Sequence, residues 1–89
     1  MSFTGMDIAA VRQLATQMHS SAAEIRNLSG QITHQVQATN WIGPDREHFV
    51  SEWTGTHVAQ LHQVVAALED AAQRANNNAQ EQENASNSG

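Results

Sequence analysis

Two apolar rhythms run along the chain. The first is Val11, Leu14, Met18, Ala22, Ile25, Leu28, Ile32 and Val36. Its steps of three and four place these side chains on one face of a helix, where a strand would alternate. The second is Phe49, Trp53, His57, Leu61, Val64, Leu68, Ala71 and Ala75. Between them lies Asn40-Trp41-Ile42-Gly43-Pro44-Asp45. Pro44 disfavours helix at Gly43 and suits the first position of a new helix. Gly43 gives the backbone freedom of a tight reversal. Asp45 and Glu47 put negative charge in the next first turn, where the helix dipole favours it. The pattern predicts a helix over about 7–39, a turn at 40–44 and a second helix over about 44–75. Either Asp7 caps the first helix, or Thr4 and Asp7 form a capping box one turn earlier.

Laid antiparallel, the two rhythms face each other in pairs from Val36–Phe49 to Val11–Ala75, with residue numbers adding to 85 or 86. This ladder predicts a hairpin core of Leu14, Met18, Ile25, Leu28, Ile32, Val36, Phe49, Trp53, Leu61, Val64 and Leu68, with His57 its one polar member. A second stripe runs beside it: Ile8, Ala15, Ala22, Ser29 and Val36 on helix one, then Val50, Val58, Val65 and Ala72 on helix two. A lone hairpin buries one stripe per helix, and apolar faces this wide suit a bundle. The fold expectation is therefore all-α: an antiparallel two-helix hairpin that pairs into a four-helix-bundle dimer. Ile8, Ala15, Val50, Val58, Val65 and Ala72 are expected to form the dimer stripe. The plainer alternative is a marginal monomer.

Gly30 and Gly55 interrupt the helices at a cost of about 1 kcal/mol each. They mark a hinge or a close backbone approach, or are tolerated on solvent faces. Gly30 could also end helix one early. Residues 76–89 lack large apolar side chains and are expected to form a polar, flexible C-terminal tail.

Composition narrows the function. Four Arg and no Lys stand against 9 Asp+Glu, a formal net charge of −5. That disfavours nucleic acid and anionic membrane surfaces as partners. With no Cys there is no disulfide framework or thiolate metal site. No apolar run is long enough for direct membrane insertion, and no secretory signal peptide is visible. His19, His34, His48, His57 and His62 show no metal-ligand spacing, so neither a metal nor a cofactor is expected. His57 reads as a hydrogen-bonded core residue or as a pH switch within a dimer. With no nucleophile elbow and no phosphate loop, catalysis is not expected. Trp41 either staples the turn to the bundle end or anchors a partner.

A helical hairpin of this length with Trp41-Ile42-Gly43 at its turn, and Phe49 six residues further on, resembles the WXG100 family of small type VII (ESX-type) secretion substrates. The resemblance covers essentially the whole chain. Gly5-Met6-Asp7, Trp53, His57 and the segment Asn78–Glu83 are similar to actinobacterial members. The resemblance implies a non-enzymatic protein that pairs with itself or with a WXG100 paralogue. It also implies export as a folded dimer, without a cleaved signal peptide, by a machine driven by the type VII secretion ATPase. In the family, the Trp-x-Gly turn (here Trp41 and Gly43) combines with a C-terminal Tyr-x-x-x-Asp/Glu signal. This chain has no tyrosine. Ala79 and Glu83 occupy the corresponding, degenerate positions. A partner supplies the signal, a looser signal suffices, or export is not autonomous; the first is preferred. The competing function is an intracellular adaptor hairpin that docks on or escorts a larger partner protein.

Overall fold

Asp7 opens the first helix. Its carboxylate accepts the Ala10 backbone N–H at 3.0 Å, satisfying one of the first-turn donors that have no intrahelical partner. The computed structural model describes residues 6–88, so Thr4 and a capping box on it lie outside the described residues. Helix α1 spans Ile8–Ala38 and passes through Gly30 without interruption. It ends at Thr39, whose N–H (2.9 Å) and hydroxyl both return to the Gln35 carbonyl. The Trp41 N–H then donates to the Thr39 carbonyl at 2.9 Å and tightens the reversal.

Gly43 stands at φ 132° and ψ 176°, a region essentially reserved for glycine. No atom crowds the place where a side chain would start, so the requirement comes from the backbone alone. Pro44 follows at the start of helix α2 (Pro44–Glu52). A π turn (Trp53–His57) joins it without a break to helix α3 (Val58–Ser88). The Val58 N–H reaches back five residues to the Trp53 carbonyl, which is the π-helical bond.

The molecule is an all-helical hairpin, with no strand among the described residues. It measures 68 × 17 × 16 Å. Its radius of gyration is 19.9 Å, against about 12 Å for a compact chain of this length. Such a rod has one thin interior seam. The seam consists of Ala15, Ala22 and Ser29 on α1, and of Val65, Ala72 and Ala79 on α3, all buried. Both rows repeat every seven residues, the spacing of a coiled-coil seam, and their small side chains let the helices approach closely.

Three expectations are corrected here. The stripe assigned to a dimer (Ala15, Val65 and Ala72) is the inside of the hairpin, with half-buried Ile8, Val50 and Val58 extending it. The ladder assigned to the core is the flank: Leu14 (50%), Leu28 (52%), Ile32 (41%), Phe49 (42%) and Val64 (48%) remain substantially exposed. Met18, Ile25, Val36, Trp53, Leu61 and Leu68 are half-buried beside the seam. The reason is size, because alanine rows allow a closer approach than leucine rows and the larger side chains are pushed to the margins.

The third correction concerns the C-terminal segment. It is not a loose tail: α3 continues to Ser88, Ala79 is buried, and Glu83 pairs with Arg12. Asn and Gln are poor in burial but compatible with a helix once a neighbouring helix covers one face. The ladder places Ala75 opposite Val11, whereas Glu83 reaches Arg12. The long Arg12 and Glu83 side chains, each leaning toward its own helix N-terminus, bridge that offset, while Trp53 and Thr33, whose numbers add to 86, bond in the ladder's register.

Candidate interaction surface

Cross-helix ion pairs fix which way the hairpin faces. Arg12 donates to Glu83 at 2.9 Å and to the Gln80 side-chain oxygen at 3.2 Å. About four turns further toward the reversal region, one Arg26 nitrogen lies 2.8 Å from both carboxylate oxygens of Glu69. At 100° per residue, Arg12 and Leu14 fall on opposite sides of Ala15. Glu69 and Val64 likewise fall on opposite sides of Val65. The ion pairs therefore lie along one side of the seam, and Leu14, Leu28, Ile32 and Val64 along the other. One broad face is polar and bridged, and the other is apolar and open.

The Arg residues add no free positive surface. Arg46 pairs with Glu47 at 3.1 Å and Arg74 with Asp70 at 3.2 Å, so all four Arg side chains have a carboxylate partner. This leaves no cationic patch for phosphate groups among the described residues.

The turn carries a second apolar feature. Trp41 and Phe49 meet with ring centroids 5.6 Å apart and planes tilted by 49°, a favourable offset geometry. Trp41 remains 40% exposed and Ile42 89% exposed. Trp41 therefore packs on Phe49 and still presents one side to solvent. Gly43 shapes the turn that holds it there.

Further along, the Trp53 indole N–H donates to the Thr33 hydroxyl at 2.8 Å, and Thr33 donates to the Ser29 carbonyl at 2.8 Å. This short relay ties the two arms near the turn. The π turn behind it explains an irregular spacing. Val50 and Val58 are eight residues apart, where the rest of the stripe steps by seven. One extra residue per π turn restores the phase and keeps both valines toward α1.

His57 is exposed, at the end of the π turn, with its ring 6.2 Å from that of Trp53. It is therefore not the core residue of the hairpin that the ladder placed there. The other histidines are exposed too, and His48 pairs with Glu52 at 2.6 Å. Among the described residues no group of three or more His, Cys, Asp or Glu could hold a metal ion. Among the same residues no helix is long and apolar enough to cross a membrane.

Ala79 and Glu83 occupy opposite situations. Ala79 is sealed in the seam, while Glu83 lies at its edge, held by Arg12. Neither is presented on a free end. Comparison with known protein families finds no match, and searches of curated proteins and of solved structures find none either.

Proposed function

We propose that this chain is a non-enzymatic pairing protein of type VII secretion, a substrate or partner in the manner of the WXG100 family. It joins a second copy or a paralogue in a four-helix bundle and leaves the cell as a folded dimer. The observation that carries this reading is the open apolar face of Leu14, Leu28, Ile32 and Val64 on a hairpin whose own seam is already filled. The chain exposes 6297 Å², against about 5,100 Å² for a compact monomer of this mass. A specific interface removes about 1,200–2,000 Å² of accessible surface in total, and the open face running along the rod is the apolar surface available for one. The Trp41-Ile42-Gly43 turn, with Trp41 half open, supports the type VII assignment. The placement of Ala79 and Glu83 against α1 supports a role in which a partner brings the C-terminal export signal.

The test is light scattering on the purified chain over a concentration series, with circular dichroism on the same samples. Supernatant immunoblotting is then done in a type VII-competent host, with and without the secretion ATPase. A helical species of twice the chain mass, or a 1:1 complex with a paralogue, together with ATPase-dependent export, is the expected result. A helical monomer that pairs with neither and stays in the cell would reject the proposal. A tight complex with one larger protein and no supernatant form would establish the adaptor role instead.

A further inference from the structure

The turn-side third of the hairpin differs from the rest in how it is held. Below it, the seam is closed by Ala15, Ala22 and Ser29 against Val65, Ala72 and Ala79. Between Ser29 and Val65, through the whole turn, no described residue is buried. What ties the arms there is half-buried Val36, Val50, Trp53 and Val58, plus one cross-arm hydrogen bond from Trp53 to Thr33.

Both mid-helix glycines flank this bond. Gly30 directly follows Ser29, the last buried residue of α1, and precedes Thr33 by three residues. Gly55 sits within the π turn, two residues after Trp53. Neither is required by space, since a methyl group added at either position meets nothing within 4 Å. Neither has a positive φ. A close backbone approach within the hairpin is thus ruled out as their reason. What remains is the backbone freedom that glycine keeps and alanine gives up. A π turn is itself a frequent mark of a functional irregularity in a helix. One glycine in each arm, one π turn and the end of the buried seam all fall at the same place along the rod.

We propose that residues 31–57 form a hinged tip, with its pivots at Gly30 and Gly55 and its latch the Trp53–Thr33 hydrogen bond. With the latch closed, the Thr33 hydroxyl both accepts from Trp53 and donates to the Ser29 carbonyl. With the latch open, the tip swings as a unit, carrying Trp41 and Phe49, while the stem seam stays zipped. The device belongs to the hairpin itself and does not depend on what the open face binds.

Hydrogen exchange on the full chain tests it, with three proteins compared at equal concentration: the natural sequence, Gly30→Ala/Gly55→Ala, and Thr33→Val. In the natural chain, amides of 31–57 exchange about tenfold or more faster than those of 10–28 and 62–78. The double alanine variant slows the tip by about tenfold and leaves the stem little changed. Thr33→Val, which removes the latch acceptor, speeds the tip alone. Equal exchange in tip and stem of the natural chain overturns the proposal. So does uniform slowing of tip and stem in the double variant, which would make the glycines ordinary weak points of a single cooperative rod. If Thr33→Val speeds the stem as well, the latch is part of the general fold, and the hinge is rejected on that ground.

Discussion

Arg12 holds Glu83 across 71 residues of sequence, with its Nη2 nitrogen 2.9 Å from one carboxylate oxygen and 3.2 Å from the Gln80 side-chain oxygen. The clasp ties the last turns of α3 to the first turns of α1. Both partners are about 40% exposed, so solvent screens the pair and it contributes at most modestly. Arg12→Ala is expected to lower stability by about 0.5–1 kcal/mol. Removing residues 79–89 takes away Ala79 as well and is expected to cost clearly more. Urea denaturation of both variants measures this, and a truncated chain as stable as the full one would show that the C-terminal turns are not packed.

The seam and the flank should respond oppositely to the same kind of substitution. Val65→Asp places an unpaired charge in the hairpin interior and should unfold it, since such burial costs several kcal/mol. Val64→Asp, one residue away, faces the open side. It should keep the helical signal of the isolated hairpin and abolish the pairing proposed above. Circular dichroism and light scattering on the two variants read out the contrast. Two variants that behave alike would refute the division of faces.

Ala22 tests the closeness of the helices. Leucine there has no room between the arms and is expected to destabilise by about 1–3 kcal/mol, although leucine is an apolar residue and a good helix former. Thermal unfolding measures it. An Ala22→Leu variant of unchanged stability would mean that the arms are further apart than the buried alanines indicate.

Gly43→Ala separates backbone strain from crowding. Space is free around the position, yet φ 132° is costly for any residue with a Cβ. The expected loss is about 1–3 kcal/mol, with the reversal disturbed. Equal stability would show that the turn relaxes to another conformation at no cost.

The π turn makes a length prediction. Deleting Gly55 shortens the Val50–Val58 step from eight residues to seven, the step used elsewhere in the seam. The shortened chain should therefore fold with an ordinary α-helix there and keep its seam in phase. Inserting one residue beside Gly55 makes the step nine and should turn α2 away from α1. Melting temperatures of the two variants should fall in that order, and the reverse order would sink the explanation.

Much of the architecture is legible in the residues. The three-and-four spacing from Val11 to Val36 is a helix, and Gly43-Pro44 marks the reversal. The choice between two parallel stripes is not legible from hydrophobicity. Leu14 and Leu28 outrank Ala15 and Ala22 in apolar area, and a reading by hydrophobic strength puts the leucines inside. The structure ranks by fit, and a two-helix rod has only one layer to fill, so small residues occupy it. The C-terminal helix hides for a related reason. Ala79 extends the row of Val65 and Ala72 by one more step of seven, but it stands among Asn, Gln and Glu. That repeat was the available signal, and composition masked it. The irregular step from Val50 to Val58 was the corresponding signal for the π turn. The face opposite the ion pairs could not be assigned before the arms had a register, because Arg12 and Glu83 belong to no local motif.

The cross-section of 17 × 16 Å has a consequence for movement. A rod of this kind passes an opening lengthwise if the opening admits its width, whatever its length. Its length lies along the direction of travel, and no helix needs to melt on the way. The proposed side-by-side pairing through the apolar face would thicken the rod across that face and leave the other transverse dimension nearly as narrow as before. The thin alanine seam thus sets the smallest gate through which the folded hairpin can be drawn.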